Sequence, residues 1–262
     1  MNNFSAALYT EALKMRRSKV PFFTALGFSF APLVGGLFMV ILKDPEAAKD
    51  MGLISAKAQL AVGTADWAAM FNLLSQATAV GGAIIFGIFT AWMFGREFSD
   101  HTAKDLLALP TTRETIVAAK FFITAIWTFL LTLLCLGLGL LVGKLVVIPG
   151  WSAELFRASI VDIVGSGLLT ILLLPFVALV ASVRRGDMPS FGWIILTVAL
   201  AQVAIITGWG DWFPWSIPAL FSGAVGPRAE QLGAHSYILL AVSSLIGLAA
   251  TFWWWRDADQ TR

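Results

Sequence analysis

Residues 121–143 read FFITAIWTFLLTLLCLGLGLLVG and contain no Asp, Glu, Lys or Arg. A helix needs about 20 apolar residues to cross a bilayer, because the hydrocarbon core is about 30 Å thick and each residue rises about 1.5 Å. Backbone groups in lipid must be paired within the segment, which a helix achieves alone. This stretch therefore predicts a transmembrane helix.

The rest of the chain repeats this pattern, since its charges are clustered between long apolar stretches. Of the 262 residues, 58% are apolar and 13% are charged, whereas soluble domains carry about 25% charged residues. This composition argues against a disordered chain, a disulfide scaffold and an ordinary soluble enzyme. Six charge-free stretches are long enough to span: Val20–Leu42, Trp67–Gly95, Phe121–Gly143, Ile163–Val183, Met188–Gly210 and Gln231–Trp255.

The sequence thus predicts an all-α polytopic membrane protein that forms one domain over residues 1–262. His235 lies near the start of the sixth stretch, so we expect that span to begin near Tyr237. The predicted spans are residues 20–42, 67–95, 121–143, 163–183, 188–210 and 237–255.

The distribution of basic residues predicts the orientation in the membrane. With the N-terminus inside, 12 of the 18 Lys and Arg residues lie in cytoplasmic segments. Cytoplasmic loops are enriched in basic residues. Both termini are therefore expected in the cytoplasm, and the basic residues are expected to lie beside anionic lipid rather than nucleic acid.

Several kinds of site are missing from the sequence. The pair Gly143-Lys144 resembles the end of a phosphate loop, but Leu138 and Leu145 break that motif. No predicted span contains a charged residue, which argues against a proton- or sodium-coupled carrier and against a catalytic carboxylate in the membrane. We predict no enzyme activity, no metal site and no cofactor in this chain.

The N-terminal segment of residues 3–19 has the pattern of an amphipathic helix. Phe4, Leu8 and Met15 recur at roughly helical spacing among basic residues. Such a helix can lie in the membrane interface with its basic side on the headgroups. A solvated leader that carries topology charges is the alternative.

The loop between the second and third spans is predicted to hold two helices. Ser99 or Asp100 can cap a short helix that must stop before Pro110. Thr111 or Thr112, with Glu114 in the first turn, can start a helix that continues into the third span. The short helix would carry several leucines, which suit docking into a groove on a soluble partner or packing against the protein's own spans.

This loop resembles the cytoplasmic signature of permease subunits in type-2 ATP-binding-cassette exporters. The residues that carry the resemblance are, in order, Arg96-Glu97, Thr102, Leu106-Leu107-Ala108-Leu109-Pro110, Thr112-Arg113 and Lys120. The six spans, the internal termini and the amphipathic N-terminal segment agree with that family.

The resemblance implies a separate cytoplasmic ATPase subunit that binds ATP and Mg, and a second permease copy, with a homodimer preferred over a heterodimer. Glu97 would match the family's membrane-edge Glu, Ser99–Leu109 the coupling helix, and Arg113 and Lys120 the basic positions after it. The basic residues also suit topology anchors. The candidate ATPase-docking residues are Glu97, Phe98, Thr102, Asp105, Leu106, Leu107, Leu109, Pro110 and Arg113.

The segment between the fifth and sixth spans is rich in Trp, Pro and Gly. Proline and glycine break helices, and the segment is too apolar for a free aqueous loop. We therefore expect an outer re-entrant segment, similar to one in bacitracin-type and lantibiotic-immunity permeases, that acts as an exit lid. An aromatic belt at the interface is the alternative. The lid residues would be Trp212, Phe213, Pro214, Trp215 and Pro218.

Polar residues inside the spans can either line a path or pack helices. Thr124, Thr128 and Thr132 follow one face of the third span, and small or hydroxyl side chains let helices approach closely. For the amides of Asn72, Gln76 and Gln202 both readings stay open. The run Trp253-Trp254-Trp255-Arg256 predicts an interfacial anchor.

The function expected from these features is the permease subunit of an ATP-driven exporter in the bacterial cytoplasmic (inner) membrane. Its substrate would be apolar or amphipathic, such as an antibiotic peptide, a drug or a lipid. The alternative is a non-transporting membrane scaffold or sensor that docks a cytoplasmic partner through the same loop.

Overall fold

A computed structural model describes residues 3–44, 64–100, 102, 111–224 and 232–257. Across these residues the chain is a bundle of helices without a strand, and six helices are long and apolar enough to span a membrane. The predicted all-α class with six spans is confirmed. The helices are α1 (Asn3–Arg17), α2 (Val20–Lys43), α3 (Trp67–Ser99), α4 (Arg113–Val146), α5 (Ala153–Val183), α6 (Met188–Ile206), α7 (Ile217–Phe221) and α8 (Ala234–Asp257).

Three of the long helices begin at a side-chain cap. Asp66 accepts a 2.8 Å hydrogen bond from the backbone N–H of Ala69 at the start of α3. That bond and a second one from the Thr64 hydroxyl lower the pKa of Asp66, because both stabilise its charged form. Thr112 caps α4, as the sequence predicts, and Ser152 caps α5.

Most predicted span boundaries are close to the observed ones, but several helices extend beyond the charge-free stretches. The helix that contains the charge-free stretch 121–143 begins at Arg113, as the predicted cap at Thr111 or Thr112 requires, and the helix that contains the stretch 163–183 begins at Ala153. Charged residues are excluded from the hydrocarbon but not from helix ends that lie in water or headgroups. The charges therefore mark the apolar window rather than the helix ends.

Two boundaries of the last spans are also corrected. The fifth span ends at Ile206 rather than at residue 210, because Gly208 has a φ of +84° that ends the helix. The sixth begins at Ala234, so His235 lies inside α8.

Two spans are interrupted within their length. Residues Ala77–Gly81 of α3 form a π-turn, and α5 is broken at Leu172 and Leu173. Pro175 explains the second break, since proline has no N–H to donate to the carbonyl one turn earlier.

The core falls into two main clusters at opposite ends of the bundle. One cluster joins α2, α3 and α4 and includes Phe28, Met70, Leu74 and Leu136. The other lies where α1, the end of α3, the start of α4 and the end of α8 meet, which we call the α1 end, and it includes Phe94.

Trp255 belongs to this second cluster, although the sequence predicts an interfacial anchor for the run Trp253-Trp254-Trp255-Arg256. Its side chain is fully buried, and its indole N–H donates to the Ser182 hydroxyl at 2.9 Å. Of the tryptophans expected to form an interfacial anchor, this one is a core residue, whereas Trp253 is exposed.

Two glycines of α4 provide a test of helix packing. A Cβ at Gly139 would collide with the buried side chain of Leu74, whereas a Cβ at Gly137 would meet open space. We expect Gly139→Ala to destabilise the protein by about 1–3 kcal/mol through overpacking. Gly137→Ala should leave stability unchanged or raised, because alanine favours helix.

The measurement is the midpoint of thermal unfolding in mild detergent, with both variants purified in parallel. Equal midpoints for the two variants would contradict the close contact between α3 and α4.

Candidate functional site

Four charged residues meet at the α1 end and form what we call the ion cluster: Glu11, Lys14, Glu97 and Lys120. Lys120 Nζ lies 2.7 Å from Glu97 Oε1 and 3.2 Å from Glu11 Oε2. Lys14 Nζ lies 2.6 Å from Glu11 Oε1 and 3.0 Å from Glu97 Oε1. Lys120 also donates to the backbone carbonyl of Met93 at 2.8 Å. The cluster therefore joins α1, α3 and α4 by side chains.

Three members of the ion cluster are buried, the Lys14 side chain is 23% exposed, and the cluster is balanced in charge. Lys120 is fully buried, and Glu11 and Glu97 are 1% and 2% exposed. Two carboxylates face two ammonium groups, so each buried charge has a partner of opposite sign. Among the described residues, Glu97 Oε2 has no hydrogen-bond partner.

The sequence pointed to half of this cluster. The family resemblance names Glu97 and Lys120, whereas Glu11 and Lys14 fall within the predicted amphipathic segment of residues 3–19, with no role predicted for either. Glu11 is the one acid within residues 3–19, three residues before Lys14. An isolated acid at that spacing on a basic helix was the available signal for an ion pair. Lys14 bonds to the protein's own carboxylates, although the basic side of this helix was expected on the headgroups.

Three other predicted docking residues also lie at the α1 end. The ring of Phe98 packs against Trp255, with centroids 5.7 Å apart. The backbone N–H of Thr102 donates to the carbonyl of Glu97 at 2.9 Å. Arg113 donates to the carbonyls of Trp255 and Arg256, at 3.4 and 3.3 Å, which ties the start of α4 to the end of α8.

Most of the predicted coupling helix lies outside the residues that the structure describes. Asp105, Leu106, Leu107, Leu109 and Pro110 lie outside the described residues. Its predicted start is wrong, because Ser99 is the last residue of α3. Asp100 donates its N–H to the carbonyl of Arg96 at 2.7 Å and so closes α3.

The threonine stripe of α4 lies inside the bundle. Thr124, Thr128 and Thr132 are all buried. The hydroxyls of Thr128 and Thr132 donate to carbonyls one turn back, at 2.8 and 3.2 Å. A Cβ at Gly167 of α5 would lie 2.6 Å from the Thr132 hydroxyl oxygen. This close approach favours helix packing over a path.

The amides behave differently from the threonines. Gln76 donates to Asn72 Oδ1 at 3.0 Å on the surface of α3, and Gln202 is exposed on α6. Asn72 also lines a small polar cavity of about 140 Å³ together with Ser75 and Asp162. Asp162 was missed, because the sequence boundary at Ile163 placed it outside the span.

The segment between α6 and α8 folds back among the helices. Two 3₁₀ turns, Gly210–Trp212 and Pro214–Ser216, precede α7. Trp215 contacts Phe176 of α5 and Trp193 of α6, with ring centroids 5.3 and 5.8 Å apart. The Phe213 ring packs on Trp215 at 5.4 Å.

The other candidate lid residues differ in exposure. Pro218 is buried in α7. Trp212 is 56% exposed, but its ring packs on His235 with centroids 4.6 Å apart, and His235 Nε2 lies 3.0 Å from Asp211 Oδ2.

The balance of the ion cluster leads to a double-substitution test. Lys120→Met leaves Glu11 and Glu97 with one ammonium between them, so we expect a loss of about 3–5 kcal/mol of stability. Adding Glu97→Met restores the balance, and the double variant should be more stable than Lys120→Met alone. Thermal unfolding in detergent measures both, with Lys144→Met at the opposite end of α4 as the control. A double variant less stable than the single one would contradict the assigned pairing.

Comparison with known proteins agrees with this architecture. The profile of the family described as ABC-2 family transporter protein matches residues 7–204, which include the ion cluster and the helices from α1 into α6. The bacitracin transport permease protein BCRB of Bacillus licheniformis is 29% identical over 182 residues, which cover 68% of this chain and 85% of that protein. The chain belongs to the ABC-2 family of transporter proteins and is a membrane subunit of an ATP-binding-cassette transporter.

Proposed function

We propose that this subunit is the permease of an exporter that is driven by ATP hydrolysis in a separate cytoplasmic ATPase. The observation that carries the proposal is the ion cluster. Glu97 lies just before the segment of residues 101–110, and Lys120 lies in the helix that follows it. A force applied to this segment by an ATPase would act on α3 and α4 together, because the Glu97–Lys120 ion pair joins the end of α3 to the first turns of α4.

The same cluster offers a route from the ATPase to the first span. Glu11 and Lys14 attach α1 to Glu97 and Lys120, and α1 is followed directly by α2. In this mechanism ATP and Mg bind to the partner, which closes and pushes on the segment of residues 101–110. Rigid-body movement of packed helices then changes the access of the path between two permease copies.

The outer segment is proposed as the exit lid. Trp193 lies thirteen residues before the end of α6, which is roughly 20 Å of helix. Trp215 contacts it from the chain that follows α6, so that chain must turn back along the helix. This geometry supports a re-entrant segment, with Trp212, Phe213, Pro214, Trp215 and Pro218 closing the path.

The orientation and substrate complete the proposal. Both termini lie in the cytoplasm in this scheme, with the protein in the bacterial inner membrane. The amides of Asn72 and Gln202, which are exposed, and of Gln76, which is half-buried, are the proposed path residues, whereas the buried threonines pack helices. Because the relative is a bacitracin transport permease, an antibiotic peptide of amphipathic character is the substrate class that we propose.

Association with the ATPase can be tested by pull-down of the tagged chain from mild detergent. Leu106→Asp with Leu107→Asp places two charges on the proposed docking surface. Loss of about 2 kcal/mol at an interface hot spot lowers affinity roughly thirtyfold, so the ATPase should be largely lost from the eluate. The control is Leu145→Asp at the opposite end of α4, which should retain the partner.

Export can be tested by the growth in bacitracin of strains that produce this chain. The unchanged chain, produced with its ATPase, should raise resistance, and the Leu106→Asp, Leu107→Asp variant should not. In the pull-down, equal recovery of the ATPase with the Leu106→Asp, Leu107→Asp variant and with the Leu145→Asp control would contradict the assigned docking segment. Increased sensitivity to bacitracin would contradict outward transport.

A further inference from the structure

A basic cavity lies beside the ion cluster, between α1 and the end of α3. It measures about 430 Å³ and is lined by Lys14 and Arg17 from α1 and by Arg96 from α3. We propose that this cavity binds the phosphate headgroup of an anionic phospholipid. The proposal rests on the proposed function only in naming the cytoplasmic leaflet as the source of the lipid.

The charge balance of the cavity favours an anion. Lys14 is already paired with Glu11 and Glu97, so its charge is compensated inside the ion cluster. Among the described residues that line the cavity, Arg17 and Arg96 then face one acid, Asp100, whose Oδ2 lies 4.0 Å from Arg96 Nε. The cavity keeps a positive excess, and a phosphate group would neutralise it.

Arg96 is held in position for such a contact. Its guanidinium lies 5.0 Å from the ring centroid of Trp92, one turn earlier on α3. Its Nη1 is buried and has no hydrogen-bond partner among the described residues. The Arg96 side chain as a whole is 25% exposed and lines the cavity, so guanidinium N–H groups other than Nη1 can meet phosphate oxygens there.

The surroundings of the cavity fit a lipid better than a soluble anion. Ser18 lines it at the point where α1 turns into α2, and the first turns of α2 present Phe22, Phe23 and Leu26 as exposed apolar side chains. A headgroup bound at Arg17 and Arg96 would have its acyl chains beside this face of a transmembrane helix. Basic pockets at this depth between membrane helices are known to bind anionic headgroups.

The site would link the lipid to the ion cluster. Lys14 lines the cavity and also bonds to Glu97 in the last turn of α3. A phosphate in the cavity would therefore be separated from Glu97 only by the Lys14 side chain. An anionic lipid would thereby hold α1 against α3.

The test is native mass spectrometry of the full chain in mild detergent, titrated with phosphatidylglycerol, with phosphatidylcholine, or with inorganic phosphate. We expect selective retention of phosphatidylglycerol, and no competition by inorganic phosphate. Arg17→Gln combined with Arg96→Gln should lower this retention roughly tenfold, since each basic residue contributes to the attraction.

The matched control is Arg16→Gln combined with Lys19→Gln, which removes the same charge from exposed residues outside the cavity. It should retain phosphatidylglycerol. Because Arg96 packs on Trp92, Arg17→Gln alone serves as a second variant that should lower retention without disturbing that contact.

Three results would overturn the proposal: equal loss of lipid in the control and the cavity variants, equal retention of both lipids by the unchanged chain, or displacement of the lipid by inorganic phosphate. The amount of ATPase that copurifies is recorded for each sample. Failure of the lipid site with the ATPase retained would leave the proposed function intact.

Discussion

A lysine that is fully buried needs carboxylates around it, and Lys120 has two. Glu11 comes from α1 and Glu97 from α3, so the charge of one side chain on α4 determines where two other helices lie. Removing a charge of this kind from water is costly unless its partners are well placed. The arrangement of the α1 end, including the basic cavity beside it, therefore depends on this one set of ion pairs.

The six spans could be predicted from the sequence because charged side chains are costly in the hydrocarbon of a bilayer. Any charge within the hydrocarbon is penalised, so the apolar windows are visible without an alignment. Helix ends could not be predicted in the same way, since water accepts helical and irregular backbone equally. This is why α5 starts at Ala153, well before its apolar stretch, and why Asp162 was placed outside its span although it lies within α5. The start of α4 at Arg113 is the exception, because the Thr112 cap predicts it.

The candidate site shows a similar division. Glu97, Lys120 and Arg113 could be named from their order around the second and third spans, but their partners could not. Glu11 and the carbonyl of Trp255 are far away in the sequence, and only tertiary packing brings them close. Trp255 also shows that a Trp-rich helix end is not uniformly interfacial, because one ring of the run fills the core while its neighbour two residues earlier is exposed.

The break in α5 divides one span into two helical segments, Ala153–Ile171 and Leu174–Val183. Without a donor at Pro175, the helix lacks a bond across Leu172 and Leu173 and bends there at lower cost than elsewhere. Leu173 packs against Ile217 and Leu240, so this joint is adjacent to the folded-back segment. The half of α5 that carries Asp162 packs against α3 and α4, whereas the half beyond Pro175 packs against α3 and α8, so the break lets a single span follow two packing directions.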